Sequence, residues 1–384
     1  MRIGFFSESY KPYVSGVVKS IESFTEELNK KGHEVFIFAP DYPRVEEEAE
    51  SNIFRIKSLP APTHPEFRLP LPLAPAWKKK AAALNLDIIH THSPFIMGWL
   101  AKSTAKKLDL PLIFTYHTLY EKYSHYVPLV QKLVQKATLK YTRKYCDYCE
   151  LIIAPSDYVK KRLRQQQVST PILTIPTGID ISLYENRDPS WIRKEYSLNQ
   201  EDNLLLFVGR LGREKNIDFL LQAFSEILNN INHTKLMIVG EGPYKENLIQ
   251  LSRELGLQQE VIFTGLQPHA RVIDFYLDSD LFVFPSLTET QGLVILEAMA
   301  GNLPVVAVDA AGATGVVEEG VNGLLVGKDE YDFAQAVIQL LTHEKRYNLF
   351  KKKAYRKAQE YTIEKMSERL IQGYQKIISG SRME

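Results

Sequence analysis

The chain has 384 residues, more than one ordinary hydrophobic core accommodates, and 45% hydrophobic and 24% charged residues are typical of a folded globular protein. The formal net charge of +1 excludes a protein that binds nucleic acid through its overall charge. The start MRIGFFSESY is typical of a strand rather than a signal peptide, and no run reaches the ~18 apolar residues of a membrane span. We therefore expect two domains and a cytoplasmic protein, with peripheral attachment to the inner face of the cell membrane left open.

Short apolar runs alternate with helical patterns along the first half. A helix is predicted over residues 17–30, where apolar residues share one face. The predicted strands cover residues 2–6, 34–38, 87–90, 112–116 and 151–154. Alternation of this kind predicts a parallel sheet with helices on both faces.

The same pattern restarts in the second half. The predicted strands cover residues 203–208, 235–239, 261–264, 281–284 and 305–308, and the predicted helices cover residues 217–228, 244–255 and 293–300. Their nearly continuous apolar character suits a sheet covered on both faces. We therefore predict an α/β protein of two Rossmann-like, parallel-sheet lobes facing a central cleft, with ligands beyond the carboxyl ends of the strands.

Residues 176–193 mark the boundary between the lobes, because this stretch is polar, lacks predicted strands and contains a Pro-Thr-Gly turn. We predict a first lobe at residues 1–178, which chooses the acceptor, and a second lobe at residues 179–355, which binds the donor. Residues 356–384 are predicted to form a C-terminal helix that packs back on the first lobe.

Two glycine-containing turns follow strands of the second lobe. In the first turn, Gly209 precedes Arg210 and Lys215, two cations at a strand exit that could hold a diphosphate. The second turn contains Gly240 and Gly242 and precedes a helix, whose first amides favour a phosphate. The alternatives are a solvated charged turn for the first and a simple chain reversal for the second.

The segment ETQGLVILE carries the most specific pattern. Glu289 lies in a loop after a strand, Gly292 leads into a helix, and Glu297 lies on that helix. Because a helix rises about 1.5 Å per residue, Glu297 is less than two turns from the helix start, and both carboxylates can face one ligand. Carboxylates accept hydrogen bonds from vicinal hydroxyls, and the amides of Gly292 and Leu293 suit a phosphate. The alternative is a capped surface helix with an acid in its first turn.

In combination, these segments resemble the retaining GT-B glycosyltransferases with an E-x7-E motif, over essentially the whole chain. The matching motifs are SGV at residues 15–17, YHT at 116–118, APS at 154–156, PTGID at 176–180, VGRLGREKN at 208–216, VGEGP at 239–243 and the E-x7-E itself. The resemblance implies four catalytic residues, which are His117, Arg210, Lys215 and Glu289. It implies donor-binding residues at Gly16, Gly209, Gly240, Gly242, Gln291, Gly292, Leu293 and Glu297.

The resemblance also implies a role for each group in the second lobe. Glu297 would bind the ribose of the nucleotide, and Glu289 would hold hydroxyls of the donor sugar. Arg210 and Lys215 would stabilise the departing diphosphate. The nucleotide sugar would be a co-substrate, and no cofactor or metal would be needed.

In the first lobe, the resemblance implies that Gly16 lets the phosphates approach closely and that His117 hydrogen-bonds the sugar ring. Two positions depart from the family pattern. Thr177 stands where asparagine is usual, and Gly315 stands where the family often has an acidic residue near the donor sugar. Because of Gly315, the sequence leaves glucose, galactose and mannose as alternatives for the donor sugar. It also leaves both UDP and GDP as alternatives for the nucleotide.

Cationic residues form a ridge on the acceptor lobe. They recur every four residues at Lys132, Lys136, Lys140 and Lys144, and Arg143 adds to them. A second basic stretch places Trp77 beside three lysines, as at membrane interfaces. One interpretation is a basic amphipathic helix on an anionic membrane surface, and the other is a core helix with a solvated lysine face.

The opening FFSESYKPYVSGVVKSI resembles the subgroup that glucosylates diacylglycerol, which favours a lipid acceptor and UDP-glucose as donor. Phosphatidylinositol and soluble sugars stay open as acceptors. A dehydrogenase with two Rossmann lobes is disfavoured, because no G-x-G-x-x-G follows the first strand. A catalytically inactive binding protein is disfavoured, because the site residues are intact.

Two smaller patterns have structural explanations. Cys146 and Cys149 form one CxxC without a second pair, so we expect two small buried residues rather than a zinc or redox site. His90 and His92 form an HxH that closes a predicted strand, and we expect a position at the edge of a loop rather than a metal site.

Overall fold

The computed structural model describes residues 1–43, 51–61, 64–71, 76–120 and 131–381. It divides into two units, one formed by Met1–Gly178 with Ile363–Glu384 and the other by Ile179–Thr362. Each unit is built on its own parallel sheet, so the predicted α/β fold with two Rossmann-like lobes is confirmed.

The first unit contains a seven-stranded parallel sheet in the order β3-β2-β1-β6-β7-β8-β9, and β4 and β5 form a separate antiparallel pair. The strands are β1 (Arg2–Phe6), β2 (Glu34–Pro40), β3 (Ile53–Ile56), β4 (Ser58–Ala61), β5 (His64–Pro70), β6 (Ile88–Thr91), β7 (Leu112–Thr115), β8 (Leu151–Ala154) and β9 (Ile172–Thr174). The chain order reverses between β1 and β6, so the carboxyl ends of these two strands flank the point where such sheets bind ligands.

Five helices of the first unit follow in chain order. They are α1 (Gly16–Lys30), α2 (Ala76–Ala83), α3 (Ile96–Leu108), α4 (Gln131–Cys146) and α5 (Asp157–Gln165). Ser15 caps α1 by accepting a hydrogen bond from the amide of Val18 at 3.3 Å. The apolar face of α1 is buried, as the helical spacing of Ile21, Phe24 and Leu28 requires.

The second unit contains a six-stranded parallel sheet in the order β12-β11-β10-β13-β14-β15. The strands are β10 (Asn203–Val208), β11 (Thr234–Val239), β12 (Val261–Gly265), β13 (Leu281–Phe284), β14 (Val305–Val308) and β15 (Gly323–Val326). The helices are α6 (Trp191–Glu195), α7 (Ile217–Asn230), α8 (Lys245–Glu254), α9 (His269–Asp278), α10 (Leu293–Ala300), α11 (Glu330–Thr342) and α12 (Glu344–Gln359). Here the chain order reverses between β10 and β13.

The last helix, α13 (Ile363–Ile378), belongs to the first unit, where it packs against α1. Lys31 pairs with Glu368 at 3.1 Å across this contact. The predicted start of the returning segment at residue 356 is wrong by seven residues. Helix α12 continues to Gln359 and buries Ala354 and Ala358 in the core of the second unit, so the chain leaves that unit only after Thr362. Across the described ranges, no helix combines the length and the apolar content that a membrane span requires.

Candidate active site

The two glycine-containing turns of the second unit lie side by side. The amide of Leu211 donates to the carbonyl oxygen of Glu241 at 3.0 Å, and the amide of Gly209 donates to that of Val239 at 3.0 Å. Gly240 has a φ of +146°, and a Cβ atom there would overlap the carbonyl oxygen of Gly209. The turns that follow β10 and β11 are thus fixed to each other through the backbone, which requires glycine at residue 240.

Arg210 lies at the exit of β10 with its side chain 45% exposed. Its guanidinium pairs with Glu214 at 3.6 Å. An exposed ion pair of this kind contributes little to stability, so the guanidinium can exchange this carboxylate for another anion at small cost.

Lys215 forms an ion pair with Glu289, a residue 74 positions further along the chain. The two side chains are 18% and 22% exposed, respectively. The neighbouring Asn216 donates from its side chain to the carbonyl oxygen of Pro285 at 3.2 Å, which ties the loop after β10 to the loop after β13. The structure therefore brings together a cation and a carboxylate that the sequence analysis assigned to one donor site.

The loop of Glu289 leads directly into α10. Gln291 is buried, and Gly292 follows with a φ of +73° at the cap position, without a side-chain hydrogen bond to the helix start at Leu293. A Cβ atom on Gly292 would meet the carbonyl oxygen of Gly312, a residue of the loop after β14 that the sequence analysis did not single out. A helix start without a side-chain cap suits an anion, because its first amides point outward and the helix dipole is positive there.

Glu297 lies on α10 and is only 8% exposed. Its carboxylate accepts a hydrogen bond from the hydroxyl of Tyr276 at 3.1 Å and lies 3.4 Å from Nε2 of His269. Burial, and then the charge of Glu297, raise the pKa of Tyr276 and of Tyr184 well above the ordinary value. Tyr276 and His269 were missed in the sequence, because neither belongs to a motif and both reach Glu297 only through the packing of α9 on α10.

In the first unit, Gly16 begins α1 and is exposed, and a Cβ atom there would meet nothing within 4 Å. The packing of the unit itself therefore gives no reason for a glycine, whereas close approach of a ligand would. The neighbouring departure from the family pattern, Thr177, is buried and donates from its hydroxyl to Ser20 Oγ at 2.8 Å.

His117 follows β7, and its Nε2 lies 2.9 Å from Nδ1 of His92. Burial lowers the pKa of His117 to about 4, so the ring is neutral at pH 7 and offers a hydrogen bond without a charge. His90 and His92 are buried at the end of β6. Among the described residues, no group of three or more His, Cys, Asp or Glu side chains could hold a metal ion.

The cationic residues of α4 that the structure describes are exposed. They are Lys136, Lys140, Arg143 and Lys144, and Arg143 donates to Gln167 at 3.0 Å. The side chains of Trp77 and Lys132 lie outside the described part of the structure. Cys146 and Cys149 are buried free cysteines, as expected, and burial raises the pKa of Cys146 to about 12, which makes a reactive thiolate unfavourable.

An aromatic patch that the sequence analysis missed links α3 to α4. It consists of Phe95, Trp99 and Tyr141, of which Phe95 is 41% and Trp99 is 40% exposed. The indole of Trp99 donates to the hydroxyl of Tyr141 at 2.7 Å, and the rings of Phe95 and Tyr141 stack at 5.9 Å. Leu133, also on α4, is 69% exposed.

The fold, which includes the paired glycine-containing turns after β10 and β11, can be compared with those of solved structures to identify the class of protein. The chain superimposes with a TM-score of 0.80 on HepE from Anabaena, solved in complex with UDP, over 98% of this chain and 100% of that one, at 20% sequence identity. This similarity concerns the fold, which is that of the GT-B glycosyltransferases.

The sequence then identifies the family. Residues 190–357 match the model of the glycosyl transferases group 1, and residues 14–183 match the model of glycosyltransferase family 4. The chain is 33% identical to the alpha-monoglucosyldiacylglycerol synthase of Streptococcus pneumoniae, over 89% of this chain and 78% of that protein. It is 30% identical to the enzyme of the same name from Acholeplasma laidlawii, over 86% of each. The chain therefore belongs to the group 1 glycosyltransferases of GT-B fold.

Proposed function

We propose that this glycosyltransferase moves a hexose from a nucleotide sugar to a lipid acceptor, with retention of the anomeric configuration and without a metal ion. The donor that we favour is UDP-glucose, and the acceptor is 1,2-diacylglycerol. Two relatives at 30–33% identity are named alpha-monoglucosyldiacylglycerol synthases, and a protein of the same fold is solved with UDP, which supports these choices.

The ion pair between Lys215 and Glu289 is the observation that carries the donor side of the proposal. An ammonium has three N–H donors, so Lys215 can hold Glu289 and a phosphate oxygen together. Glu289 has further lone pairs for sugar hydroxyls. This arrangement would bind a sugar and a phosphate next to each other, as they occur in a nucleotide sugar.

The leaving group explains why cations are needed. Breaking the bond between the sugar and the diphosphate develops negative charge on the phosphate and positive charge on the sugar. Arg210 and Lys215 would stabilise the phosphate charge, which is the task that a bound metal ion performs in other transferases. Glu289 would lie on the sugar side, and the neutral ring of His117 would hydrogen-bond the sugar without opposing its positive charge.

Glu297 is suited to bind the ribose. Its buried carboxylate is fixed by Tyr276 and by the helix that carries it, so it can accept hydrogen bonds from two vicinal hydroxyls with little loss of side-chain entropy. The uncapped start of α10 would bind a phosphate through its first amides.

The experiment that tests the donor side is hydrolysis of nucleotide sugars by the full chain, with and without diacylglycerol. We expect UDP-glucose to be consumed faster than GDP-mannose, with no loss of rate in EDTA, and we expect the α-anomer as the first product in a proton NMR time course. A β-anomer, a requirement for a metal, or no turnover of any nucleotide sugar would contradict the proposal.

The first unit supports a lipid acceptor. The aromatic patch and Leu133 are exposed apolar groups on α3 and α4, and four exposed cations lie on α4. Exposed aromatic and apolar side chains beside lysines suit the surface of an anionic bilayer, where each basic residue contributes roughly 1 kcal/mol. We therefore propose a peripheral position on the inner face of the cell membrane.

Vesicle sedimentation tests this acceptor side. Vesicles with 30 mol% phosphatidylglycerol should bind the enzyme and phosphatidylcholine vesicles should not, and binding should weaken as salt rises from 0.05 to 0.5 M. Equal binding to both vesicle types, or a faster reaction on a soluble sugar or on phosphatidylinositol than on diacylglycerol, would favour the other acceptors instead.

A further inference from the structure

Three histidine rings form a row in the first unit. His90 and His92 stack with their centroids 4.5 Å apart at 23°, and His92 and His117 stack at 5.2 Å and 24°. The row begins in the sheet at β6 and ends at the residue assigned to the sugar. His92 is therefore the only one of the three rings that contacts both of the others in this row.

His90 and His92 differ in how their ring nitrogens are hydrogen-bonded. His90 uses both ring nitrogens inside the protein, because Nδ1 lies 2.5 Å from the hydroxyl of Tyr374 and Nε2 lies 2.6 Å from the hydroxyl of Thr115. His92 is 3% exposed and uses only Nδ1, towards Nε2 of His117 at 2.9 Å. Its Nε2 has no hydrogen-bond partner among the described residues.

A hydrogen bond between Nδ1 of His92 and Nε2 of His117 requires a proton on one of these two nitrogens. Two arrangements are therefore possible. If His117 donates, His92 carries its proton on Nε2, and a buried N–H is left without an acceptor. If His92 donates from Nδ1, the nitrogen without a partner is a lone pair. Unpaired buried N–H groups are rarer in proteins than unpaired acceptors, so the second arrangement is favoured.

We propose that His92 is a positioning residue, which donates from Nδ1 to Nε2 of His117 and so holds that ring in one orientation with its proton on Nδ1. His117 then presents a neutral N–H donor to an oxygen of the transferred sugar. This inference rests on the proposed function, in which His117 contacts the sugar. His92 selects the tautomer of His117, and the chemical group that this tautomer recognises is an oxygen acceptor.

The tautomer can be measured without turnover. Full-length enzyme labelled with ¹⁵N-histidine would be examined at pH 7 by long-range ¹H–¹⁵N NMR, and His117→Asn would assign the signals of His117. We expect neutral His117 with a protonated Nδ1. A protonated Nε2, or an imidazolium, would overturn the proposal whatever the enzyme does with a nucleotide sugar.

Variants of His92 test the consequence for catalysis. His92→Leu should lower the kcat of donor hydrolysis roughly tenfold, the loss expected for one hydrogen bond, with less change in KM, and should shift the tautomer of His117. His92→Asn can place an amide N–H near the position of Nδ1, so we expect it to restore both the rate and the tautomer in part.

Tyr374→Phe is the matched control, because it removes a hydrogen bond from the next ring in the row and leaves His92 and His117 unchanged. It should lower stability without altering kcat or the tautomer. A wild-type rate in His92→Leu, or equal losses in His92→Leu and His92→Asn with the tautomer of His117 unchanged, would overturn the proposal. If the wild-type enzyme turned over no nucleotide sugar, the proposed function would fail, and the NMR result would still decide the role of His92.

Discussion

At the scale of single residues, the proposed donor site depends on the positions of a few charged side chains. Lys215 and Glu289 lie in the segments that follow β10 and β13, the two strands that flank the reversal in strand order. The loops after such strands converge, so a cation and a carboxylate far apart in sequence meet there. Because both side chains are mostly shielded from water, their electrostatic interaction with a ligand is stronger than that of an exposed pair.

Lys215→Ala should lower turnover roughly 100- to 1000-fold at saturating donor, since it removes one of the two charges that we propose to stabilise the leaving group. Arg210→Ala should behave in the same way. The matched control is Lys235→Ala, because Lys235 lies at the amino end of β11, where its ammonium donates to the carbonyl oxygen of Gln259 at 2.9 Å. Steady-state hydrolysis of UDP-glucose would measure all three. Wild-type turnover in Lys215→Ala, or equal losses in the control, would show that the charge has no catalytic role.

Tyr276→Phe should raise the KM for the donor about tenfold with little change in kcat, because it removes the hydroxyl that orients Glu297 but no group on the sugar. Tyr347→Phe is the control, since the hydroxyl of Tyr347 donates at 2.8 Å to Asp280, at the amino end of β13. Both variants should lose some stability, and only the first should bind UDP more weakly by calorimetry. Equal UDP affinities for the two variants would argue against a role of Glu297 in ribose binding.

At the scale of secondary-structure elements, helix α3 begins in an unusual way. Its cap position, Phe95, provides no side-chain hydrogen bond, and the amide of Met97 donates instead to the carboxylate of Glu8 at 2.8 Å. Glu8 follows β1 and is 8% exposed. Burial raises the pKa of Glu8 to about 7, although the hydrogen bond from Met97 opposes the shift. The carboxyl group of Glu8 thus replaces the missing side-chain cap of α3.

The burial of the Glu8 carboxyl group should make the stability depend on pH. The folded pKa of Glu8 lies above its unfolded value of about 4.5, so its contribution to the unfolding free energy is complete below pH 4.5 and is lost as the pH rises through about 7. Glu8→Gln accepts the same hydrogen bond without titrating. The difference in unfolding free energy between wild type and variant should therefore change by up to about 3 kcal/mol between pH 4 and pH 8. Urea unfolding across this range would measure it, and a constant difference would contradict the assignment.

The strands and the contacts between elements show which features of the fold and of the candidate site could be predicted from the sequence. Fully apolar strands such as β10 and β13 could be predicted, because nearly all of their residues are buried and this leaves a continuous apolar run in the sequence itself. The strands β9 and β15 were missed, since both are short and only partly buried, so that no continuous apolar run marks them. The contact between Glu8 and Met97 spans 89 residues, and that of Tyr276 with Glu297 depends on helix packing. Such pairs can be identified only when the strand order and the packing of the helices are known.

At the scale of the whole molecule, each unit should behave as its own folding unit with its own ligand response. The C-terminal helix α13 completes the first unit, where Leu370 is 1% exposed, whereas Leu340 of α11 is fully buried in the core of the second unit. Because UDP is proposed to bind residues of the second unit, it should stabilise that unit by mass action.

We expect Leu370→Ala to destabilise the first unit by roughly 2–5 kcal/mol and to leave the affinity for UDP near that of the wild type. Leu340→Ala is the matched variant: it should destabilise the second unit by a similar amount, and saturating UDP should recover part of the loss. Hydrogen exchange followed by peptide mass spectrometry reports on each unit separately. If Leu370→Ala accelerated exchange equally in the two sheets, and UDP protected both, then the two units would unfold together and α13 would stabilise the entire enzyme.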